Sequence, residues 1–229
     1  VAVAEDGTDY FVKYSTDTGV HWSDSTTGSG DLLAVTSDRY RTWVAVGQSG
    51  TSVYTTGWSD GPWQNGNGLS GNFFDVASNT VGDWVAVGAT SGLGSAMEGL
   101  AYYSTDDGAN WTAASLPSGI TQLWAIGAAV GTNTFVAVGD DSSDIPVVVY
   151  STDGGQSFSA ASHPLTSPDD DLSEVMYNDY GTWMAIGDNR TIIKSTDGGQ
   201  NWSRANIVAS FGGLASDTLT TLSFGRWEN

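Results

Sequence analysis

Carboxylates are the chemically capable groups this 229-residue chain has in greatest supply. It carries 26 Asp and Glu against 7 Lys and Arg, a net charge of −19. Six of them form two local clusters, Asp140-Asp141-Ser142-Ser143-Asp144 and Asp169-Asp170-Asp171. Oxygen-rich loops of this kind suit a hard cation, which makes Asp140, Asp141 and Asp144 candidate calcium ligands. Neither loop has EF-hand spacing, so a solvated acidic loop is the competing reading, and no other cofactor is implied. Glycoside hydrolysis needs two carboxylates across the scissile bond. With this many acids, a suitably spaced pair arises by chance. The four glutamates, Glu5, Glu98, Glu174 and Glu228, sit in no recognisable catalytic setting. His21 and His163 are too few and too far apart for a histidine metal site or triad. The absence of cysteine excludes disulfides, thiolate ligands and cysteine nucleophiles.

The elements that must position these groups repeat. The phrase Trp43-Val-Ala-Val-Gly47 returns at Trp84–Gly88, Phe135–Gly139 and, as Trp-Met-Ala-Ile-Gly, at Trp183–Gly187, and Val1-Ala-Val-Ala4 is a copy cut at its start. The copies are 41 to 51 residues apart and consume the whole chain. Before each full copy comes an apolar run (Leu32–Val35, Phe73–Val76, Leu123–Ile126, Leu172–Val175). After it comes a third (Thr51–Tyr54, Gly99–Tyr103, Pro146–Tyr150, Thr191–Lys194). Short apolar runs at this spacing, with 30 glycines for tight turns, predict antiparallel strands.

A second phrase, S-T-D-x-G-x-x-[WF], follows the third run four times. Its copies are Ser15, Asp17, Gly19, Trp22; Ser104, Asp106, Gly108, Trp111; Ser151, Asp153, Gly155, Phe158; and Ser195, Asp197, Gly199, Trp202. The Asp is expected to accept hydrogen bonds from N–H groups two or three residues on, and the Gly to supply a positive φ. The aromatic is expected to open a short polar fourth strand and cover the hairpin. This phrase resembles the Asp-box, or bacterial neuraminidase repeat. The resemblance implies a β-propeller with the boxes as structural pins on outer hairpins. One repeat departs from it, reading Tyr54–Trp63. Drift at a tolerant hairpin explains the change, with an exposed Trp58 and Trp63 platform for a sugar as the functional alternative.

The expected fold is all-β: a single domain over 1–229, a five-bladed propeller of four-stranded antiparallel blades. The blades fall at about 30–70, 71–119, 120–168, 169–213, and 214–229 joined with 1–29. Leu219–Phe224 reads as a first strand with no second after it, and Val1–Ala4 as a second with no first before it. Joined, they close the ring and shield strand edges.

Sialidases share the box, yet their site needs an arginine triad, an Arg-Ile-Pro phrase and a Tyr–Glu pair. This chain has five arginines and no Arg-Ile-Pro, and five expected blades where sialidases have six. The residues therefore favour a non-enzymatic protein.

In propellers, the inter-blade loops and the loops between second and third strands share one face, opposite the boxes. That places Gln48, Asp140, Asp188, Asn189 and Arg190, with Glu5 equivalent, on the expected binding face. Inter-blade loops add Asn65, Asn67, His163 and Phe211. Planar polar groups beside an aromatic suit sugar hydroxyls, so a lectin-like module binding a glycan is the first expectation, with a protein partner also served. A structural or assembly protein is the second, since the repeats also resemble those of phage virion and tail proteins and of photosystem assembly factors. A glycoside hydrolase with an unrecognised carboxylate pair is the third. The acidic surface disfavours nucleic acid and anionic membranes, and no run of about 18 apolar residues offers membrane insertion. An extracellular or surface-displayed setting, secreted or on a virion, is expected. Val1 opens directly in a strand with no visible signal peptide, leaving a removed upstream segment open, and oligomeric state cannot be read. Sequons at Asn110, Asn189 and Asn201 are expected to be coincidental.

Overall fold

The computed structural model describes residues 1–5, 8–90 and 97–205. Strands follow the repeat order in five antiparallel sheets. The first comprises β1 (Ala2–Glu5), β2 (Asp9–Tyr14) and β3 (Ser23–Ser29). The second has β4 (Leu32–Ser37), β5 (Trp43–Gly47), β6 (Ser52–Thr55) and β7 (Gln64–Asn65). The third has β8 (Asn72–Ser78), β9 (Trp84–Ala89), β10 (Gly99–Ser104) and β11 (Thr112–Ala113). In the fourth are β12 (Ile120–Ala128), β13 (Phe135–Asp141), β14 (Pro146–Ser151) and β15 (Ser159–Ala160). The fifth has β16 (Leu172–Tyr177), β17 (Trp183–Gly187), β18 (Ile192–Ser195) and β19 (Ser203–Arg204). The expected closing strand at Leu219–Phe224 lies outside the described residues. Among the described residues, no helix is long and apolar enough to cross a membrane.

The second strand of each four-stranded sheet is apolar on both faces because both are covered. Val44, Ala45 and Val46, and Val85, Ala86 and Val87, are fully buried. First strands of successive sheets, β4, β8, β12 and β16, lie against one another in order. The blades therefore stand side by side around inner strands, and apolar burial of this kind is the main term holding such stacks together.

The box supplies the seams. In the second copy, Ser104 Oγ donates to Asp106 Oδ1 at 2.8 Å and accepts from the Gly108 N–H at 3.0 Å. Asp106 Oδ1 accepts from the Asn110 N–H at 2.9 Å. The carboxylate thus closes the turn four residues on, further than expected, because Asp107 and Gly108 are both left-handed, with φ of 63° and 84°. The aromatic covers the preceding blade rather than its own hairpin. Trp111 packs with Val44 and Val46, Phe158 with Val85 and Val87, and Trp202 with Val136 and Val138. Backbone seals each seam, the N–H groups of Trp111, Phe158 and Trp202 donating to Asn67, Ser115 and Ser162 carbonyls at 2.8, 2.9 and 2.8 Å. In the divergent repeat Trp63 keeps this role, packing near Val12 while its indole N–H donates to Ser25 Oγ at 3.0 Å. Trp63 is partly buried in this role, while Trp58 is exposed, with the Arg41 guanidinium 5.5 Å from its ring centroid. Trp22 of the first box is 47% exposed, against 5–7% for the other three box aromatics.

A second repeated device shapes the inner strands. Pairing slips by one residue between Leu32 and Ala34, Phe73 and Asp75, Leu123 and Ala125, and Leu172 and Glu174. The extra residues, Leu33, Phe74, Trp124 and Ser173, are β-bulges, which re-aim side chains. The bulges bring carbonyls of Asn72 and Gln122 so close that a Cβ on Gly88 or Gly139 would sit 1.8 or 2.0 Å away. Glycine ends the W-V-A-V-G phrase because nothing larger fits there.

Candidate functional site

Antiparallel pairing puts the end of β13, the start of β16 and the end of β17 at one end of the strands, away from the boxes. There, Gln122 and Trp124 from β12, Asp140 from β13, Asp144 from the loop after it, Asp171 before β16 and Asp188 after β17 line a cleft of about 420 Å³. With Leu172 and Ser173 completing the lining, four of the eight residues are carboxylates and, among the described residues, none is basic.

Asp140 is its most constrained member. Its side chain is 4% exposed because it sits within β13, between the inner and third strands. Oδ2 accepts from Trp124 Nε1 at 2.5 Å and from Gln122 Nε2 at 3.2 Å, while buried Oδ1 has no partner among the described residues. Burial, with Asp144 and Asp141 adding repulsion, outweighs these two bonds and holds its carboxyl above the ordinary carboxylate range. Asp171 also keeps a buried, unpartnered Oδ1. Burial first, then repulsion from Asp140, Asp188, Asp144 and Asp169, pushes its carboxyl up to about 6. The wall opposite is apolar: Trp124 is 38% exposed and stacks on Phe74, centroids 5.1 Å apart and planes at 26°. Both residues sit at bulges, and Trp124 lines the cleft.

The structure brings Asp140 and Asp188 of the expected site residues into this cleft, together with Asp144. Asp141 is turned away, its Oδ1 accepting from the Ser143 and Ile145 N–H groups at 2.7 and 3.1 Å to pin its own loop. Among the described residues, no three His, Cys, Asp or Glu side chains come together as a metal-ligand set. Asn189, left-handed at φ 51°, donates its amide to the Asp169 carbonyl beside the cleft, and Arg190 follows it in the same turn. Gln48 is exposed in the matching turn of the second sheet. Asn65 is in outer strand β7, and Asn67 joins the Trp111 seam through its backbone. Neither lies among the cleft residues. His163 lines a separate cleft of about 250 Å³ with Ile120 and Asp141; burial holds its imidazole below the ordinary value, and Nδ1 is unpartnered. Glu5 contributes backbone to β1, and Phe211 lies outside the described residues. The sequon residues Asn110 and Asn201 are occupied in their boxes, donating to Asp106 and Asp197 Oδ2 at 2.8 Å.

Gln122, Trp124 and Asp171 were not among the expected ligand-binding residues. A signal for Trp124 existed. The position after the first apolar residue of each inner strand reads Leu33, Phe74, Trp124 and Ser173, variable where its neighbours repeat, and twice aromatic.

The arrangement can accept hydrogen bonds, hold positive charge and stack a planar group. A family profile described as BNR/Asp-box repeat matches residues 102–113 and 193–204. No curated protein sequence gives a significant match. Among solved structures, YCF48 bound to D1 peptide is similar at a TM-score of 0.56 and 16% identity, covering 88% of this chain and 65% of that one. YCF48 from Cyanidioschyzon merolae is similar at 0.51 and 15%, covering 78% and 57%. The chain thus spans less than two thirds of either structure.

Proposed function

We propose that this chain, a protein of β-propeller fold built on BNR/Asp-box repeats, is a non-enzymatic recognition module. Its working surface is the face opposite the boxes, and its ligand is a protein segment. One observation carries the reading: the described cleft on that face combines a buried, incompletely satisfied carboxylate with an aromatic wall. Buried polar atoms without partners cost free energy, and a ligand donor relieves that cost. The preference for a peptide over the first-expected glycan comes from charge. Four carboxylates with no lining base suit a cationic donor better than a neutral sugar. A structural neighbour in complex with a peptide supports the same direction. In this proposal, residues 219–224 join the N-terminal strands as a fifth blade and close the ring. The setting is extracellular or surface-displayed.

A glycan remains the second reading, favoured by Trp124, whose partly exposed ring stands beside Gln122 and Asp140 as in a sugar-stacking subsite. Panning the folded protein against displayed random linear peptides, beside a glycan array, separates the two. Peptide enrichment competed by free peptide is expected. Array binding without enrichment moves the function to carbohydrate. Failure of both rejects recognition by this face.

A further inference from the structure

Resting on that reading, we infer that the cleft between the fourth and fifth sheets is a subsite for one basic side chain, lysine or arginine, of the bound segment. Asp140 is its anchor and Trp124 its wall.

The first argument is the state of Asp140. Its carboxylate is within β13, 4% exposed, with one oxygen tied to Trp124 and Gln122 and the other untied. A buried carboxylate with an open acceptor is a poor structural device. Substituting an apolar residue there would cost less than leaving the acceptor unmet. A donor arriving in the cleft removes the penalty. Asp171, a half-buried residue lining the same cleft, adds a second Oδ1 without a partner among the described residues. Two carboxylates on one cleft, each with an oxygen still to be satisfied, match a guanidinium or an ammonium, which carry several N–H donors and no acceptor.

The second argument is the wall. Trp124 is held at the cleft by stacking on Phe74 and by its own indole bond to Asp140. An aromatic face beside carboxylates favours a cation with an apolar stem: the stem lies on the ring while the head reaches the acids.

The third argument sets a basic side chain above a bare metal ion. A calcium site needs six to eight oxygens converging on a point, and among the described residues no set of three acidic or imidazole side chains does so. About 420 Å³ is also more room than one ion requires.

The test is a titration followed by NMR, reading the indole N–H resonance of Trp124, assigned with Trp124→Phe. The probes are acetyl-Gly-Arg-Gly-amide, its lysine analogue, the citrulline analogue of equal shape without charge, and calcium chloride alone, at an ionic strength of about 0.15 M. Saturable shifts at Trp124 with the arginine or lysine peptide, absent at exposed Trp58, are expected, with no response to citrulline. Asp140→Asn keeps an acceptor for Trp124 yet removes the charge, and should weaken the arginine peptide about tenfold. Should that variant fail to fold, Asp171→Asn combined with Asp188→Asn should give the same loss. Equal response to citrulline, undiminished binding in the neutralised variants, or a response to calcium alone overturns the assignment. Enrichment of peptides lacking lysine and arginine in panning overturns this subsite while leaving peptide recognition standing; no enrichment removes both.

Discussion

The indole N–H of Trp124 donates to Oδ2 of Asp140 at 2.5 Å, across two strands of one blade whose register slips beside the tryptophan. One bond thus joins a residue re-aimed by a bulge to a carboxylate buried by its strand, leaving the second carboxylate oxygen without a partner among the described residues. The fold holds both groups at the cleft before any ligand arrives, and pre-organisation of this kind lowers the ordering cost of binding.

The acids predict two opposite pH dependences. Asp171 and Asp75 have folded carboxyls pushed up to about 6 by burial, from an ordinary 3.8. The folded chain then holds more protons than the unfolded one between those values. The contribution of these two groups is therefore present below about pH 3.8 and lost as pH rises through about 6. Box residues Asp17 and Asp197 act the other way. Hydrogen bonds from His21 and from Asn201 hold their carboxyls down at about 2, and their contribution is lost as pH falls from 3.8 through that value. Melting temperature should be higher at about pH 5 than at about pH 7.5, and Asp171→Asn should reduce the difference. A wild-type curve flat across that window, or one unchanged by the substitution, would count against the cleft electrostatics.

Loss of a box carboxylate should cost stability and spare binding. Asp106→Ala removes the acceptor for the Asn110 N–H, the Asn110 amide and the Ser104 hydroxyl. Denaturant unfolding should show a loss of about 2 kcal/mol, with the affinity for a selected peptide unchanged.

The extent of legibility differs between the two faces. The fold was readable because blade-on-blade packing repeats: three seams use the same box glycine and aromatic against a buried second strand, so the sequence states the device repeatedly. Even the altered repeat preserved Trp63, the residue that fills the seam. The site was only partly readable because it does not repeat. Asp140 and Asp188 could be placed by counting from the W-V-A-V-G phrase. Trp124 could not, since a bulge shifts its side chain off the two-residue alternation from which strand faces are read. Asp171 was visible only as one of three consecutive acids, and its neighbours Asp169 and Asp170 serve the adjoining turn.

Seam packing gives a further quantity. Trp111→Ala empties a 5%-exposed site against Val44 and Val46 and should cost about 3–5 kcal/mol. Urea midpoints for this variant beside Trp58→Ala, at a 65%-exposed position, should separate clearly, with the latter close to wild type.

Glycine at the bulge is a steric requirement. Gly139→Ala would set a methyl 2.0 Å from the Gln122 carbonyl oxygen, forcing β12 from β13 and disturbing the Gln122 and Trp124 bonds to Asp140. A loss of about 3 kcal/mol or more is expected, accompanied by a moved Trp124 indole resonance. A stable variant with that resonance in place would contradict the account of the bulge.

The proposed ring closure predicts that removing residues 217–229 abolishes cooperative unfolding. Calorimetry on the shortened chain should show no sharp transition; an unchanged melting curve would contradict the shared fifth blade.

The central claim is that recognition takes place on the face opposite the boxes. Fluorescence anisotropy of one panned peptide, measured on the full chain carrying Asp188→Lys at the cleft or Asp60→Lys on the exposed outer hairpin of the second sheet, tests it most directly. Both substitutions change the net charge equally. The account predicts about tenfold or greater weakening from Asp188→Lys alone, with Asp60→Lys close to wild type. Equal weakening by the two, or a loss confined to Asp60→Lys, would contradict it.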